Sequence, residues 1–121
     1  GMAGTNNYDL SLLEQLDDKS ALLDVLDLFL KDTPEQVRQL ALSTRAGEWE
    51  SVSELAHKLK GSLSMLQAKS LVNQLASIEK TAKSAEDKTP IAGWVVEVEA
   101  TFEVLRAELT KEVNMIRKEI G

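Results

Sequence analysis

A single histidine, His57, stands in the run Ala56-His57-Lys58-Leu59-Lys60-Gly61-Ser62, and the chain contains no cysteine. Those two facts remove most chemistries. A zinc or di-metal centre needs several ligands at fixed spacing. There is no second histidine, no cysteine and no second Glu-x-x-His to pair with the one formed by Glu54 and His57, so no metal is expected. A Ser-His-Asp triad needs a nucleophile, a buried carboxylate and an oxyanion hole. Ser53 and Ser64 lie near His57 on the same stretch, but nothing there marks a water-excluded cleft. Glycine loops that cradle phosphates are missing, so no nucleotide or other cofactor is expected. What remains is the imidazole, itself a nucleophile. It can take a phosphoryl group at a ring nitrogen and release it to another acceptor. That role asks for access to one face, a cation near the phosphoryl oxygens and a rigid support.

The surrounding pattern supplies all three. With about 100° per residue, Val52, Leu55, Ala56, Leu63 and Leu66 fall within roughly 60° of Leu59 on one helical face. His57 falls roughly 160° from Leu59, so its ring is expected in solvent. Gly61 follows one turn later, with Lys60 and Ser64 on the same side. A glycine inside a helix costs about 1 kcal/mol against alanine. Beside the only imidazole, it reads as clearance for something that must come close. Lys58, Lys60 and Lys69 make this neighbourhood more basic than the chain as a whole, although an ordinary solvated face also carries such charges.

The elements that hold this stretch are expected to be helices. Residues 1–7 are polar and read as a disordered leader, with Gly1 before Met2 as the remnant of a tag and Met2 as the native start. Residues 8–16 suggest a short helix with Leu12, Leu13 and Leu16 as its apolar residues. Asp17-Asp18 would close it, and Ser20 would cap the next helix. From Ala21, the apolar positions Leu22, Leu26, Phe29, Val37 and Leu40 keep helical spacing to about residue 45. Pro34 within this stretch either kinks the helix or starts a new one. Gly47 fits a helix stop, and residues 49–66 form the His57 helix. A corner near Gln67 leads to a stripe of Leu71, Leu75, Ile78 and Ala82. Residues 83–90 read as the longest loop. A final helix over 91–120 turns Trp94, Val98, Phe102, Leu105, Leu109, Val113 and Ile116 inward, and its free end has room to overhang. Met65, flanking the His57 face, reads as a partly buried gap-filler rather than a partner contact. No stretch shows the two-residue alternation of a strand. The expected fold is all-α, an antiparallel up-down four-helix bundle with a short additional N-terminal helix.

Composition limits the partners. With 121 residues there is room for one core, and 43% apolar residues argue for a globular chain. A net charge of −6 and only 4% aromatic residues speak against nucleic acid, whose phosphates call for clustered Lys and Arg. No run reaches the roughly 20 apolar residues of a membrane span, so no membrane is expected. The absence of cysteine leans toward a cytoplasmic setting.

The run from Ala56 to Ser62, followed by Leu66-Gln67-Ala68 and Leu71, resembles the signature of histidine-containing phosphotransfer domains. Those domains carry His-x-Leu-Lys-Gly-Ser and then a Leu-Gly-Ala corner. The Leu-x-x-Phe-Leu run from Leu26 to Leu30, Pro34, Gly47-Glu48-Trp49 and Leu75-Ala76-Ser77-Ile78-Glu79 look like the family as well, so the likeness covers residues 8–117. It implies a four-helix bundle whose histidine passes phosphoryl groups between receiver-domain aspartates in two-component phosphorelays. On that match His57 is the phosphoacceptor, Lys60 lies beside the phosphoryl group and Gly61 gives clearance. Ser64 joins them as phosphoryl-adjacent. The implied partners are receiver domains of response regulators or hybrid histidine kinases. The chain would act as a monomeric carrier with no kinase active site of its own, the domain spanning residues 8–120. One residue departs from the pattern: Gln67 stands where the family has its corner glycine. A non-glycine residue in a left-handed conformation costs on the order of 1 kcal/mol.

Two other readings remain open at this stage. The dimerisation helix of a sensor histidine kinase also exposes a phosphohistidine, but normally reads His-Glu with a basic residue and a nearby proline. Here Lys58 follows His57 and no proline lies between Pro34 and Pro90. In a non-enzymatic helical adaptor, His57 would be incidental.

Overall fold

The computed structural model describes residues 7–121. Five helices follow one another: α1 (Ser11–Glu14), α2 (Lys19–Arg45), α3 (Trp49–Met65), α4 (Lys69–Lys83) and α5 (Ile91–Ile120), with no strand among the described residues. Three-residue turns at 46–48 and 66–68 and a loop at 84–90 reverse the chain each time. Sequence neighbours are therefore spatial neighbours, and α5 closes the ring against α2. This is the antiparallel four-helix bundle with a short leading helix that the apolar stripes demand. Leu26, Leu40, Val52, Leu59, Leu63, Leu75, Ile78, Val98, Leu105 and Leu109 are fully buried along its axis. Phe29 meets Phe102 with ring centroids 6.3 Å apart. Trp94, expected inward, is only partly buried against the core.

Pro34 does not divide its helix; α2 runs through it without interruption. Proline in a helix interior costs about 3 kcal/mol, but Phe29, Thr33, Val37 and Leu40 around it are all buried. Packing on both sides holds the helical path. The N-terminal cap of α2 is Asp18 rather than Ser20. Its carboxylate accepts the backbone N–H groups of Ser20 and Ala21 at 2.9 and 3.1 Å.

The two outer helices are longer than the inner pair. Helices of 27 and 30 residues span about 40 and 45 Å, against about 25 Å for α3. The first turns of α2 and the second half of α5 therefore run past the α3–α4 corner. No overhang results, because the N-terminal segment fills the step. Tyr8 and Leu10 are buried there, and the Tyr8 hydroxyl donates to Glu112. Burial and that neighbouring carboxylate push the Tyr8 hydroxyl well above its ordinary pKa. Lys19 pairs with Glu119, and Arg117 with Asp27 at 2.8 Å.

The short helix expected over 8–16 is thus a single turn, Ser11–Glu14, preceded by non-helical chain that buries Tyr8 and Leu10. Of the three leucines assigned to it, only Leu13 is buried; Leu12 and Leu16 are exposed. Helical periodicity does not apply where the chain is not helical. Residues 1–6 of the expected disordered leader lie outside the described residues. Asn7 lies within them and its side-chain amide donates to Glu108 at 2.6 Å.

Both short turns end a helix in the same way. After α2, Gly47 has φ +69°, and the N–H groups of Gly47 and Glu48 return to the carbonyls of Thr44 and Ser43. After α3, Gln67 has φ +51°, with the N–H groups of Gln67 and Ala68 on Ser64 and Leu63. The left-handed position is real, and Gln67 fills it where glycine would be easier. Its side-chain amide explains why: Nε2 donates to Ser11 Oγ at 2.9 Å and to the Asp9 carbonyl at 3.3 Å. The Asp9 N–H in turn donates to the Leu66 carbonyl at 2.8 Å. The corner is thereby stitched to the N-terminal segment. Gln67→Ala keeps the strain and loses both side-chain bonds, so urea titration should show a loss of about 1 kcal/mol. Gln67→Gly removes both together and should remain within about 0.5 kcal/mol of the parent.

Candidate functional site

His57 sits midway along α3 with its side chain 71% exposed, while Leu59 two residues on is fully buried. The ring leans toward α4, the helix packed most closely against α3. There its Nδ1 lies 3.0 Å from Oε2 of Glu79. Glu79 is buried, and its carboxylate is shared by three partners. Lys60 Nζ stands 2.8 Å from Oε1, Lys83 Nζ lies 3.4 Å from Oε2, and His57 Nδ1 takes the third place.

The Lys60 ammonium holds the Glu79 carboxyl below its usual pKa against the opposing effect of burial, with Lys83 and His57 adding to it. Glu79 is therefore an anion at neutral pH and can only accept. Nδ1 must donate, because a neutral imidazole carries one N–H. The remaining nitrogen, Nε2, then presents its lone pair outward. A histidine that looked unsupported in the sequence has its tautomer fixed by a residue from the neighbouring helix.

Gly61 lies one turn beyond His57, and a Cβ built on it meets no atom within 4 Å. Nothing inside the bundle requires a glycine there. The open space lies outside, on the His57 side.

The structure brings together His57, Lys60, Gly61 and, from α4, Glu79 and Lys83. It does not bring Ser64 into this group. The Ser64 hydroxyl donates to the Lys60 carbonyl at 2.7 Å, and seven residues of helix place it about 10 Å along the axis from His57. Lys69 is also elsewhere. It opens α4 beyond the corner, where its charge acts on Asp9. Met65 is 48% exposed and is no gap-filler. It borders a groove of about 310 Å³ between α2 and α3, floored by Val25, Phe29 and Leu66 and edged by Leu28 and Lys58.

Glu79 and Lys83 are the residues of this cluster that sequence reasoning missed. Glu79 did leave a signal. It stands about 70° from the centre of the Leu71, Leu75, Ile78 and Ala82 stripe, an acidic residue at the margin of an apolar face. Such a residue needs a cation or a hydrogen-bond donor. No helix of the described residues is long and apolar enough to cross a membrane, and no group of three or more His, Cys, Asp and Glu among them is placed to hold a metal ion.

Comparison with known proteins follows the same lines. The family model of the Hpt domain matches residues 24–118. Two curated relatives, the virulence sensor proteins BvgS of Bordetella pertussis and of Bordetella bronchiseptica, are each 26% identical over 93 residues. That match takes in 76% of this chain but only 8% of either relative's length. The crystal structure of histidine-containing phosphotransfer protein B (HptB) from Pseudomonas aeruginosa PAO1 has a TM-score of 0.83, at 23% identity. It covers 93% of this chain and 98% of that one, and the likeness is one of fold.

Proposed function

This chain belongs to the Hpt domain family, and we propose that it carries phosphoryl groups on Nε2 of His57 between receiver domains of a two-component phosphorelay. The observation that carries the reading is the exposed ring whose Nδ1 is held by Glu79. Nε2 is the atom left to attack an aspartyl phosphate. Its lone pair forms the new N–P bond as the P–O bond to the aspartate breaks and the carboxylate departs. The reverse transfer regenerates the free ring. Positioning and charge do the work.

The other groups take roles by position. Lys60, one turn from the ring, can leave Glu79 for the incoming phosphoryl oxygens. Gly61 leaves the approach open to the partner's aspartate. Lys58, Leu28 and Met65 edge the neighbouring groove, which a receiver domain delivering its aspartate to Nε2 would cover. Residues 8–120 act as one phosphotransfer domain, working as a monomer in the cytoplasm. The cognate partners are the receiver domains of response regulators or hybrid kinases.

The test is to incubate the protein with a panel of labelled phospho-receiver domains. Acid-labile, base-stable label on His57 is the expected result. Absence of label with every receiver, including small-molecule phosphodonors as controls, would return the chain to the class of helical adaptors. In the same assay Lys60→Ala should slow acceptance roughly three- to tenfold at low salt, since the nucleophile stays while one cation goes. The deficit should narrow as salt screens a partly exposed charge. Equal rates at low ionic strength would make Lys60 an ordinary partner of Glu79.

A further inference from the structure

We propose that Glu79 also acts in the release half of the relay, holding a proton on Nδ1 of phosphorylated His57 so that a neutral imidazole departs. The inference rests on the carrier reading of His57 and extends it to a residue of α4. In the phosphorylated ring Nε2 is bonded to phosphorus. When the phosphoryl group passes to a carboxylate oxygen, the Nε2–P bond breaks and its electron pair returns to Nε2. If Nδ1 is bare at that moment, the departing group is an imidazolate anion. If Nδ1 carries its proton, the departing group is neutral imidazole, and the ring exchanges no proton with solvent. The second path needs a phosphorylated ring that remains a cation.

The geometry favours that cation. Glu79 Oε2 lies 3.0 Å from Nδ1, and Glu79 itself is buried beneath the ring. An opposite charge at this range stabilises the protonated form. The oxygens of a phosphoryl group on Nε2 would sit across the ring from the carboxylate, so attraction at Nδ1 outweighs repulsion at the far side. The charged groups of the cluster come from both helices that form it. Lys60 of α3 pairs with Oε1, whereas Lys83 of α4 shares Oε2 with the ring. On the α2 flank, Lys58 and Asp32 line the groove. Lys83 therefore competes with the ring proton for one oxygen. Removing it should strengthen the hold of Glu79 on the ring, while neutralising Glu79 should weaken it. Opposite shifts from two neighbours are not what a merely structural role predicts.

The experiment phosphorylates the intact protein with phosphoramidate and follows the ³¹P resonance of phospho-His57 as pH is raised. The shift reports loss of the ring proton. In Glu79→Gln, which keeps size and an acceptor oxygen, the midpoint should fall by about 0.5–1 pH unit. In Lys83→Met, at a side chain that is 65% exposed, it should rise by about 0.3 unit. Transfer from phospho-His57 to a receiver domain at about pH 8 should be roughly three- to tenfold slower for Glu79→Gln, and should recover as pH is lowered. A Glu79→Gln midpoint equal to that of the parent overturns the proposal, as does a Lys83→Met midpoint that fails to rise. The Lys83 variant carries the test alone if Glu79→Gln does not fold. If parental His57 accepts no phosphoryl group at all, the carrier reading falls and this proposal with it. Coincident midpoints remove only the part assigned to Glu79.

Discussion

His57→Gln is expected to abolish phosphoryl acceptance entirely while leaving the fold intact. The ring is the only imidazole in the chain. The cluster around it otherwise holds two ammonium groups, whose nitrogens have no lone pair to attack phosphorus, and a carboxylate, whose acyl phosphate would be base-labile. The predicted loss is therefore complete rather than graded. Stability should change little, because the side chain is 71% exposed and takes no part in the core. A change within about 0.5 kcal/mol is typical of such positions. Glutamine can still donate toward Glu79, and Lys60 and Lys83 keep the carboxylate paired. Labelling from phospho-receivers, read beside a urea titration, checks both halves. Persistent label would move the acceptor to another residue, and a large fall in midpoint would make His57 structural.

Gly61 should show function and stability moving in opposite directions. Its backbone is helical, and an added Cβ meets nothing within 4 Å, so Gly61→Ala should stabilise the bundle by up to about 1 kcal/mol. Gly61→Gln has nearly the same helix propensity and should also fold at least as well as the parent. Yet each side chain would project one turn from Nε2, into the space through which an aspartate must come. Displacing the reacting atoms by about 1 Å is enough to cost 100-fold in rate. The expected series is a modest slowing for Ala and a loss of about 100-fold for Gln, with unchanged far-UV circular dichroism. Phosphoramidate, being small, should label both variants far better than a receiver does. Parental transfer from receivers by Gly61→Gln would refute the clearance argument.

How much of this was legible from residues alone depends on which geometry each feature obeys. α3 and α5 follow from a repeat of 100° per residue, and so does the exposure of His57, since one periodicity governs a whole helix. That Glu79 meets His57 depends instead on how α4 is rotated and set along α3, which no local pattern encodes. The pairing becomes visible once the helices are docked. The burial of Tyr8 and Leu10 escaped for a different reason. They lie in non-helical chain, and the partner of Tyr8, Glu112 on α5, is 104 residues away. Gln67 shows a third limit. Its left-handed strain was foreseeable from the missing glycine, but not the side-chain bonds to Asp9 and Ser11 that offset it.

The step between the long outer helices and the short inner pair has a consequence for attachment. Asn7 and Tyr8 pack against the second half of α5, and Lys19 reaches Glu119, so both described ends of the chain emerge on the same side of the α3–α4 corner. His57 lies nine residues before that corner, about 13 Å back along α3. A linker leaving either described end would start beyond that corner, away from His57. A receiver tethered there would reach His57 by swinging back along the bundle, with the tether's length setting its local concentration. An untethered receiver would meet the same open face without obstruction. On the carrier reading, the same geometry would suit a receiver linked to either end or one that arrives free.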